Sequence, residues 1–142
     1  MIDETWTGAT SEVVKITITR EMIASYTKAI DDDTSIYVDI ASAKKAGYQD
    51  IPAPPTMPII FWSFINVPWL EDVGPVVHGK QSFSYEHTLI ANRTYDCVIH
   101  LKDVKKKQIN REIMQRSNHE LLLSYNDCIH ATARTTLLIV KK

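Results

Sequence analysis

Residues 51–70, IPAPPTMPIIFWSFINVPWL, decide the fold that we predict for this chain. Three prolines among the first five of these residues fix φ and remove amide donors, so regular structure is blocked until Met57 or Pro58. Pro58 suits the first position of a helix, and Pro68 stands where that helix should end. Because the segment after Met57 is apolar on every side, we predict one long helix buried in the core.

The residues before this segment predict a strand and two short helices. Apolar and polar residues alternate over 14–18, which indicates a half-buried strand. Thr19 is a suitable N-cap for the next helix, whose apolar face comprises Met22, Ile23, Tyr26 and Ile30. A second helix is expected to begin after the capping residue Asp39 and to end at Gly47.

After residue 76 the pattern changes to successive strands. Alternation around Phe83, over 95–101 and from Leu121 through the turn residues Asn126 and Asp127 predicts about four antiparallel strands. The lysine run at 105–107 is expected to form a solvated hairpin tip. The chain is therefore predicted to be one α+β domain, 1–142, in which an antiparallel sheet wraps around the long apolar helix. This is the hot-dog arrangement, and its unfinished sheet edge favours pairing into a double hot-dog dimer.

Composition limits the classes of partner. The 142 residues are 44% hydrophobic and include 16 Lys and Arg against 17 Asp and Glu, so no net field favours nucleic acid or a membrane. The N-terminus has no secretion signal, so we expect a cytoplasmic protein in which Cys97 and Cys128 are reduced core thiols. No metal-ligand spacing is found among the histidines, and no cofactor is expected.

Three separated motifs then suggest a family. The order DDTSIYVD…AxxAGYxxIPAPPTMP, then HGKQSFSY, then ATARTTLLIV resembles the MaoC-like dehydratase and (R)-specific enoyl-CoA hydratase family, and more closely the half of it that lacks the catalytic histidine. Active members of that family carry a loop G-D-x-N-P-(Ile/Leu)-His, in which Asp and His act together. The resemblance covers nearly the whole chain.

The catalytic loop of the family is altered in this sequence. The family's Asp falls on Asp32, but its His falls on Tyr37, and its Asn and Pro fall on Thr34 and Ser35. A histidine titrates near pH ~6.5 and exchanges protons at neutral pH, whereas tyrosine titrates near ~10. Loss of one acid–base partner typically costs ~10² to 10⁴ in rate. We therefore expect this chain to lack a complete catalytic pair.

The proline segment has two interpretations. Pro54 and Pro55 stiffen the approach to the core helix, which leaves the amides of Thr56 and Met57 as donors for a thioester carbonyl or oxyanion. In the resembling family an amide at this helix start forms the oxyanion hole, and Thr56 falls on its place. Alternatively, the Thr56 hydroxyl simply caps the helix behind a rigid loop.

His78 and Gly79 form a second candidate for substrate binding. They stand at a predicted strand start that, in the resembling family, lies near the acyl groove. The alternative is that His78 is an ordinary hydrogen-bonded strand residue.

Three functions remain open from the sequence. The first is an acyl-thioester-binding subunit of an (R)-3-hydroxyacyl-CoA or -ACP dehydratase or enoyl hydratase, with the Asp–His pair supplied by a second chain in a heterodimer. The second is a self-sufficient homodimeric hydratase, a hydro-lyase in which Asp32 works with an unexpected residue such as His78. The third is a binding module for acyl thioesters without enzymatic activity. The sequence determines neither the acyl chain length nor the carrier.

Overall fold

The computed structural model describes residues 1–141 and contains one antiparallel sheet with a few short helices. The strands are β1 (Val14–Ile18), β2 (Val77–Tyr85), β3 (Arg93–Ile109), β4 (Glu112–Tyr125) and β5 (Cys128–Lys141). Their order in the sheet is β1-β3-β4-β5-β2, and every neighbouring pair is antiparallel. No helix among the described residues is long and apolar enough to cross a membrane.

The two α-helices begin at the caps that the sequence predicts. In α1 (Arg20–Ala29) the Thr19 hydroxyl accepts a hydrogen bond from the Met22 amide at 3.0 Å. In α2 (Ile40–Lys45) the carboxylate of Asp39 accepts hydrogen bonds from the amides of Ala41 and Ser42. The chain leaves α2 through Gly47 at φ +100°, a left-handed conformation that a glycine adopts without steric cost.

The apolar segment forms a 3₁₀ helix, Met57–Phe64, which is shorter than the predicted helix. In its last turn the Ser63 hydroxyl donates to the Ile60 carbonyl at 2.8 Å. Such local hydrogen bonds compete with the backbone pattern of a longer helix. Ile65 is extended, and Pro68 begins another short 3₁₀ turn, Pro68–Leu70, instead of ending the first helix.

The core lies between this segment and the inner face of the sheet. Met57 and Phe61 are fully buried there against alternate residues of the strands, among them Tyr95, Ile99 and Leu121. Phe64, by contrast, points outward and is 53% exposed. The segment therefore buries one face and presents the other, although its sequence is apolar all round.

Two details differ from expectation. Cys97 is buried in β3, but Cys128 is exposed at the start of β5, so the prediction of a second core thiol is wrong. The lysine run 105–107 lies within β3, because the turn itself is formed by Asn110 and Arg111. The reason is that β3 and β4 stay paired as far as Ile109 and Glu112, beyond the end of the hydrophobic alternation.

Candidate functional site

Asp32 lies in the turn after α1 and is held by Thr34. One carboxylate oxygen of Asp32 accepts hydrogen bonds from the Thr34 amide at 3.0 Å and from the Thr34 hydroxyl at 2.6 Å. The Thr34 hydroxyl and then its amide hold the pKa of Asp32 below the usual value. The carboxylate is therefore ionised at neutral pH, and its hydrogen bonds stabilise the turn in which it lies, as is typical of Asp in loops.

Tyr37 ends the short 3₁₀ turn Ser35–Tyr37 and is half-buried beside Asp32. Burial raises the pKa of Tyr37 above the usual value, and the neighbouring Asp32 carboxylate and Tyr48 add to the increase. Among the described residues no histidine forms a hydrogen bond with Asp32 or Tyr37. At this place the chain thus holds an ionised carboxylate and a protonated phenol.

Two other tyrosines hold the proline segment. The hydroxyl of Tyr85, at the end of β2, donates to the Pro55 carbonyl at 2.5 Å. The hydroxyls of Tyr26, in α1, and Thr56 are 2.5 Å apart and share a hydrogen bond. Desolvation raises the pKa of Tyr85 well above its usual range, and nearby Tyr26 and Tyr37 contribute to the same increase. These contacts bring Tyr37 and the proline segment to one site.

The start of the core 3₁₀ helix differs in detail from the sequence interpretation. The Met57 amide is not free, because it donates to the Pro54 carbonyl at 3.0 Å. The Thr56 hydroxyl forms no cap hydrogen bond and instead meets Tyr26. Pro54 and Met57 are buried, whereas Pro55 and Thr56 are exposed. Of the four residues, Pro55 and Thr56 are therefore the ones that a ligand can reach.

Apolar and mixed recesses adjoin this site on both sides of α1. One, of about 450 Å³, lies between α1 and the core 3₁₀ helix beside Tyr26; Met22, Ile60 and Phe64 also line it. The other, of about 390 Å³, is lined by Tyr37, Asp39 and Ile51 together with the start of α1. The first has the apolar walls that an alkyl chain requires.

A group of hydrogen bonds around Asp50 fixes the start of α1 to the proline segment. Its two carboxylate oxygens accept from Arg20 Nε at 2.9 Å and Arg20 Nη2 at 3.0 Å, a bidentate pair. The Ile51 amide and the Asn92 side chain also donate to Asp50, at 2.7 and 3.1 Å. The Arg20 hydrogen bond is the largest of the causes that lower the pKa of Asp50 to about 2.

His78 and Gly79 lie apart from this group. His78 is exposed near the start of β2, where Nε2 meets the Gln81 side chain at 3.0 Å. Gly79 occupies a break in the β2–β5 register, and a Cβ there would approach the Leu138 side chain at 3.2 Å. Tyr85 is seven residues from His78 along the strand, roughly 23 Å at the usual rise. Within one chain His78 therefore does not reach the Tyr85 end of the strand, where Tyr37 lies.

Sequence reasoning did not select Tyr26, Tyr85, Arg20 or Asp50 for this site. Tyr26 and Tyr85 showed only the apolar periodicity of a helix and of a strand, and a phenol hydroxyl gives no separate sequence signal. Arg20 and Asp50 are 30 residues apart, so their pairing depends on the fold.

The fold defines a class, the hot-dog proteins. The structure is similar to the HadBC (3R-hydroxyacyl-ACP dehydratase) complex of Mycobacterium tuberculosis, with a TM-score of 0.81 and 19% identity over 93% of this chain and 96% of that one. It is also similar to the ChsH1–ChsH2 complex of the same organism, with a TM-score of 0.73 and 22% identity over 92% and 88% of the two chains. These similarities confirm the predicted hot-dog fold.

The sequence comparisons then give the family. Residues 5–122 match the family described as FAS1-like, dehydratase domain region. A UPF0336 protein of Thermobifida fusca (strain YX) is 35% identical over 130 residues, which are 87% of this chain and 83% of the relative. The chain belongs to the FAS1-like dehydratase domain family, which confirms the MaoC-like resemblance seen in the sequence.

Proposed function

We propose that this chain is the acyl-thioester-binding subunit of an (R)-3-hydroxyacyl thioester dehydratase or enoyl hydratase, and that a second hot-dog chain supplies the catalytic pair. The observation that carries the proposal is the pairing of Asp32 with Tyr37. Hydration of an enoyl thioester needs a base for water and an acid for the α-carbon. Neither the ionised Asp32 nor the protonated Tyr37 titrates near neutral pH.

The edge of the sheet at β2 supports the proposal of a second chain. Strand β2 pairs only with β5, so its outer edge is unpaired among the described residues. The segment between the core 3₁₀ helix and β2 has exposed apolar side chains at both ends, Phe64 at its start and Val76 and Val77 at its end. An unpaired edge with apolar neighbours favours pairing with another chain. HadBC and ChsH1–ChsH2, which share the fold, are both complexes of two named components.

The recess beside Tyr26 supports acyl binding. Its walls are largely apolar, and the exposed Pro55–Thr56 segment adjoins it. We propose that the acyl chain lies in this recess and that Thr56 faces the thioester, with coenzyme A or acyl carrier protein as carrier. The proposed location is the cytoplasm.

A homodimeric hydratase is the second candidate, and the unpaired outer edge of β2 is the observation that favours it, because two copies could pair antiparallel along this edge. Such pairing would set the His78 end of one strand beside the Tyr85 end of its partner. In a homodimer the His78 imidazole, which does not reach this site within one chain, would thus come from the other chain.

Assays of the purified chain, alone and with a co-expressed candidate catalytic subunit, test the proposal. Hydration is followed by loss of enoyl-thioester ultraviolet absorbance with several chain lengths. We expect no hydration by the chain alone and hydration by the complex. Brisk hydration by the chain alone, abolished by His78→Ala, would establish the homodimer instead. Binding of the thioester without hydration in either preparation would indicate a binding module.

A further inference from the structure

The β3–β4 hairpin, residues 102–116, forms one end of the sheet. Strand β1 pairs only with the first five residues of β3, whereas β5 accompanies β4 as far as Ile113. The N-terminal segment reaches the hairpin through Ile2, which bonds to the Gln115 side chain, and through Glu4, which lies 3.9 Å from Lys106. From Lys105 to Arg111 every residue is exposed. We call residues 102–116 the basic hairpin.

Charge is segregated onto this hairpin. It contains six of the 16 basic residues of the chain but only two of the 17 acidic ones, so it carries +4 while the remainder carries −5. Within the part of the chain that the structure describes, the only ion pair of the hairpin joins Lys106 to Glu4 at 3.9 Å. The near-zero net charge of the chain therefore conceals a strongly cationic end.

The register places like charges opposite one another. Lys105 is the direct cross-strand partner of Arg116, and Lys107 follows on the same face opposite Met114. Like charges directly opposite in a sheet are destabilising. These three cations, Lys106 and Met114 surround a shallow recess of about 280 Å³. Such an arrangement is stabilised when an anion binds between the cations.

Exposed aliphatic side chains accompany these cations at the end of the hairpin. Ile109 and Ile113 are 43% and 39% exposed, and alternation along the strands places them on opposite faces close to the turn. Val140, on the neighbouring β5 and directly opposite Met114, is 50% exposed. Apolar groups thus stand near the tip; Lys107 is two residue pairs behind Ile109, and the Lys105–Arg116 pair is four behind it.

We propose that the basic hairpin docks on an anionic lipid bilayer. Lys105, Lys107 and Arg116 would meet headgroup phosphates while Ile109 and Ile113 enter the headgroup region, the combination by which peripheral segments bind membranes. An acidic protein fits less well, because a stable protein interface needs one continuous face of about 800 Å² per partner. Here the two isoleucines point to opposite sides.

This docking surface is independent of the proposed acyl site. Tyr85 is opposite Ala131, and Ala131 is opposite Leu123. Arg116 is seven residues from Leu123 along β4, roughly 23 Å. The chain can therefore bind a bilayer through the basic hairpin and leave the Tyr37–Tyr85 end of the domain uncovered.

Sedimentation of the full chain with lipid vesicles tests the proposal. We expect binding to vesicles of equimolar phosphatidylglycerol and phosphatidylcholine, and none to phosphatidylcholine alone. Each cation near an anionic surface contributes about fivefold in affinity, so Lys105→Gln, Lys107→Gln and Arg116→Gln together should weaken binding by on the order of 100-fold. The matched control neutralises three exposed lysines elsewhere, Lys44, Lys45 and Lys80, and should retain binding.

Two further measurements distinguish binding to lipid from binding to other anions. Ile109→Ser with Ile113→Ser should weaken vesicle binding but leave binding to soluble inorganic polyphosphate unchanged. The triple Gln variant should unfold at the same or higher urea concentration than the wild type, because like-charge repulsion is removed. Equal binding to both kinds of vesicle, unchanged binding by the triple variant, or retention on an immobilised acidic protein without vesicle binding would each overturn the proposal.

Discussion

The hydroxyl of Tyr85 donates a hydrogen bond to the carbonyl oxygen of Pro55 at 2.5 Å, across 30 residues of sequence. This contact joins the end of β2 to the segment that leads into the core 3₁₀ helix. Replacing Tyr85 with Phe removes only that hydrogen bond, so we expect the free energy of unfolding to fall by about 1 kcal/mol. Urea denaturation measures the loss.

Tyr48→Phe is the matched control for Tyr85→Phe. The Tyr48 hydroxyl forms no hydrogen bond within the described residues, although the side chain is half-buried like that of Tyr85. We expect this control to unfold at the wild-type urea concentration. Equal losses in the two variants would show that the Tyr85–Pro55 hydrogen bond does not stabilise the fold.

His119 should make the stability of the chain depend on pH between about 6.5 and about 4. It is fully buried in β4, where its Nε2 accepts from the Trp69 indole at 2.9 Å. Burial is the main cause that lowers its pKa to about 4. Because the unfolded chain binds the proton more readily in this range, stability falls as pH falls, by up to about 3 kcal/mol.

The variant His119→Gln tests this pH dependence. Glutamine can still accept from Trp69 but has no charge to gain, so unfolding free energies near pH 7 and near pH 4.5 should differ less than in the wild type. His100→Gln, at a half-buried position on the outer face of β3, is the control and should keep the wild-type difference. An unchanged pH dependence in His119→Gln would contradict the prediction.

Asp50 should make the stability of the chain depend on pH in a lower range than His119 does. The Arg20 pair and the Ile51 amide hold its pKa near 2 in the folded chain, against about 3.8 when unfolded. The stabilisation is therefore complete above pH ~3.8 and is lost as pH falls towards ~2. Because Arg20 is 46% exposed, solvent screening limits the effect to about 1 kcal/mol. Asp50→Asn should abolish this acid-dependent loss in urea titrations, and Asp96→Asn, whose partner Lys15 is 75% exposed, should not.

The N-cap of α2 gives a prediction about a single turn. Asp39 accepts from the Ala41 and Ser42 amides and from the Ser42 hydroxyl, the last at 2.7 Å. Asp39→Ala leaves these donors without their partner, so the urea midpoint should fall. Asp33, exposed and without a hydrogen bond among the described residues, provides the control Asp33→Ala. Equal midpoints in the two variants would show that the cap contributes nothing.

Local chemistry explains which elements the sequence could predict. Thr19, Asp39 and Gly47 act on neighbours within four residues, so their motifs suffice to locate α1 and α2. The strands follow from alternation between a buried and an exposed face. The length of the core helix does not follow, because the Ser63 hydrogen bond to Ile60 and the extended Ile65 end it before Pro68.

The candidate site was predictable only in part, for a similar reason. Asp32 and Tyr37 belong to one short motif that aligns with a family, and the structure sets them side by side. Tyr85 and Tyr26 reach Pro55 and Thr56 across 30 residues each. Such contacts depend on how β2 and α1 pack around the proline segment, which no local pattern encodes.

The proposed division of labour between two chains predicts that Asp32 and Tyr37 are dispensable for proton transfer. In a complex with a catalytic subunit, Asp32→Ala and Tyr37→Phe should each keep the rate of enoyl-thioester hydration within about threefold of the wild type, because neither group exchanges a proton near neutral pH. The matched control is removal of the histidine in the partner's catalytic loop, which should lower the rate ~10² to 10⁴-fold. Rates are measured at saturating thioester, so that weaker binding is not mistaken for lost chemistry. A comparable loss in Asp32→Ala would mean that this chain carries a working acid–base group.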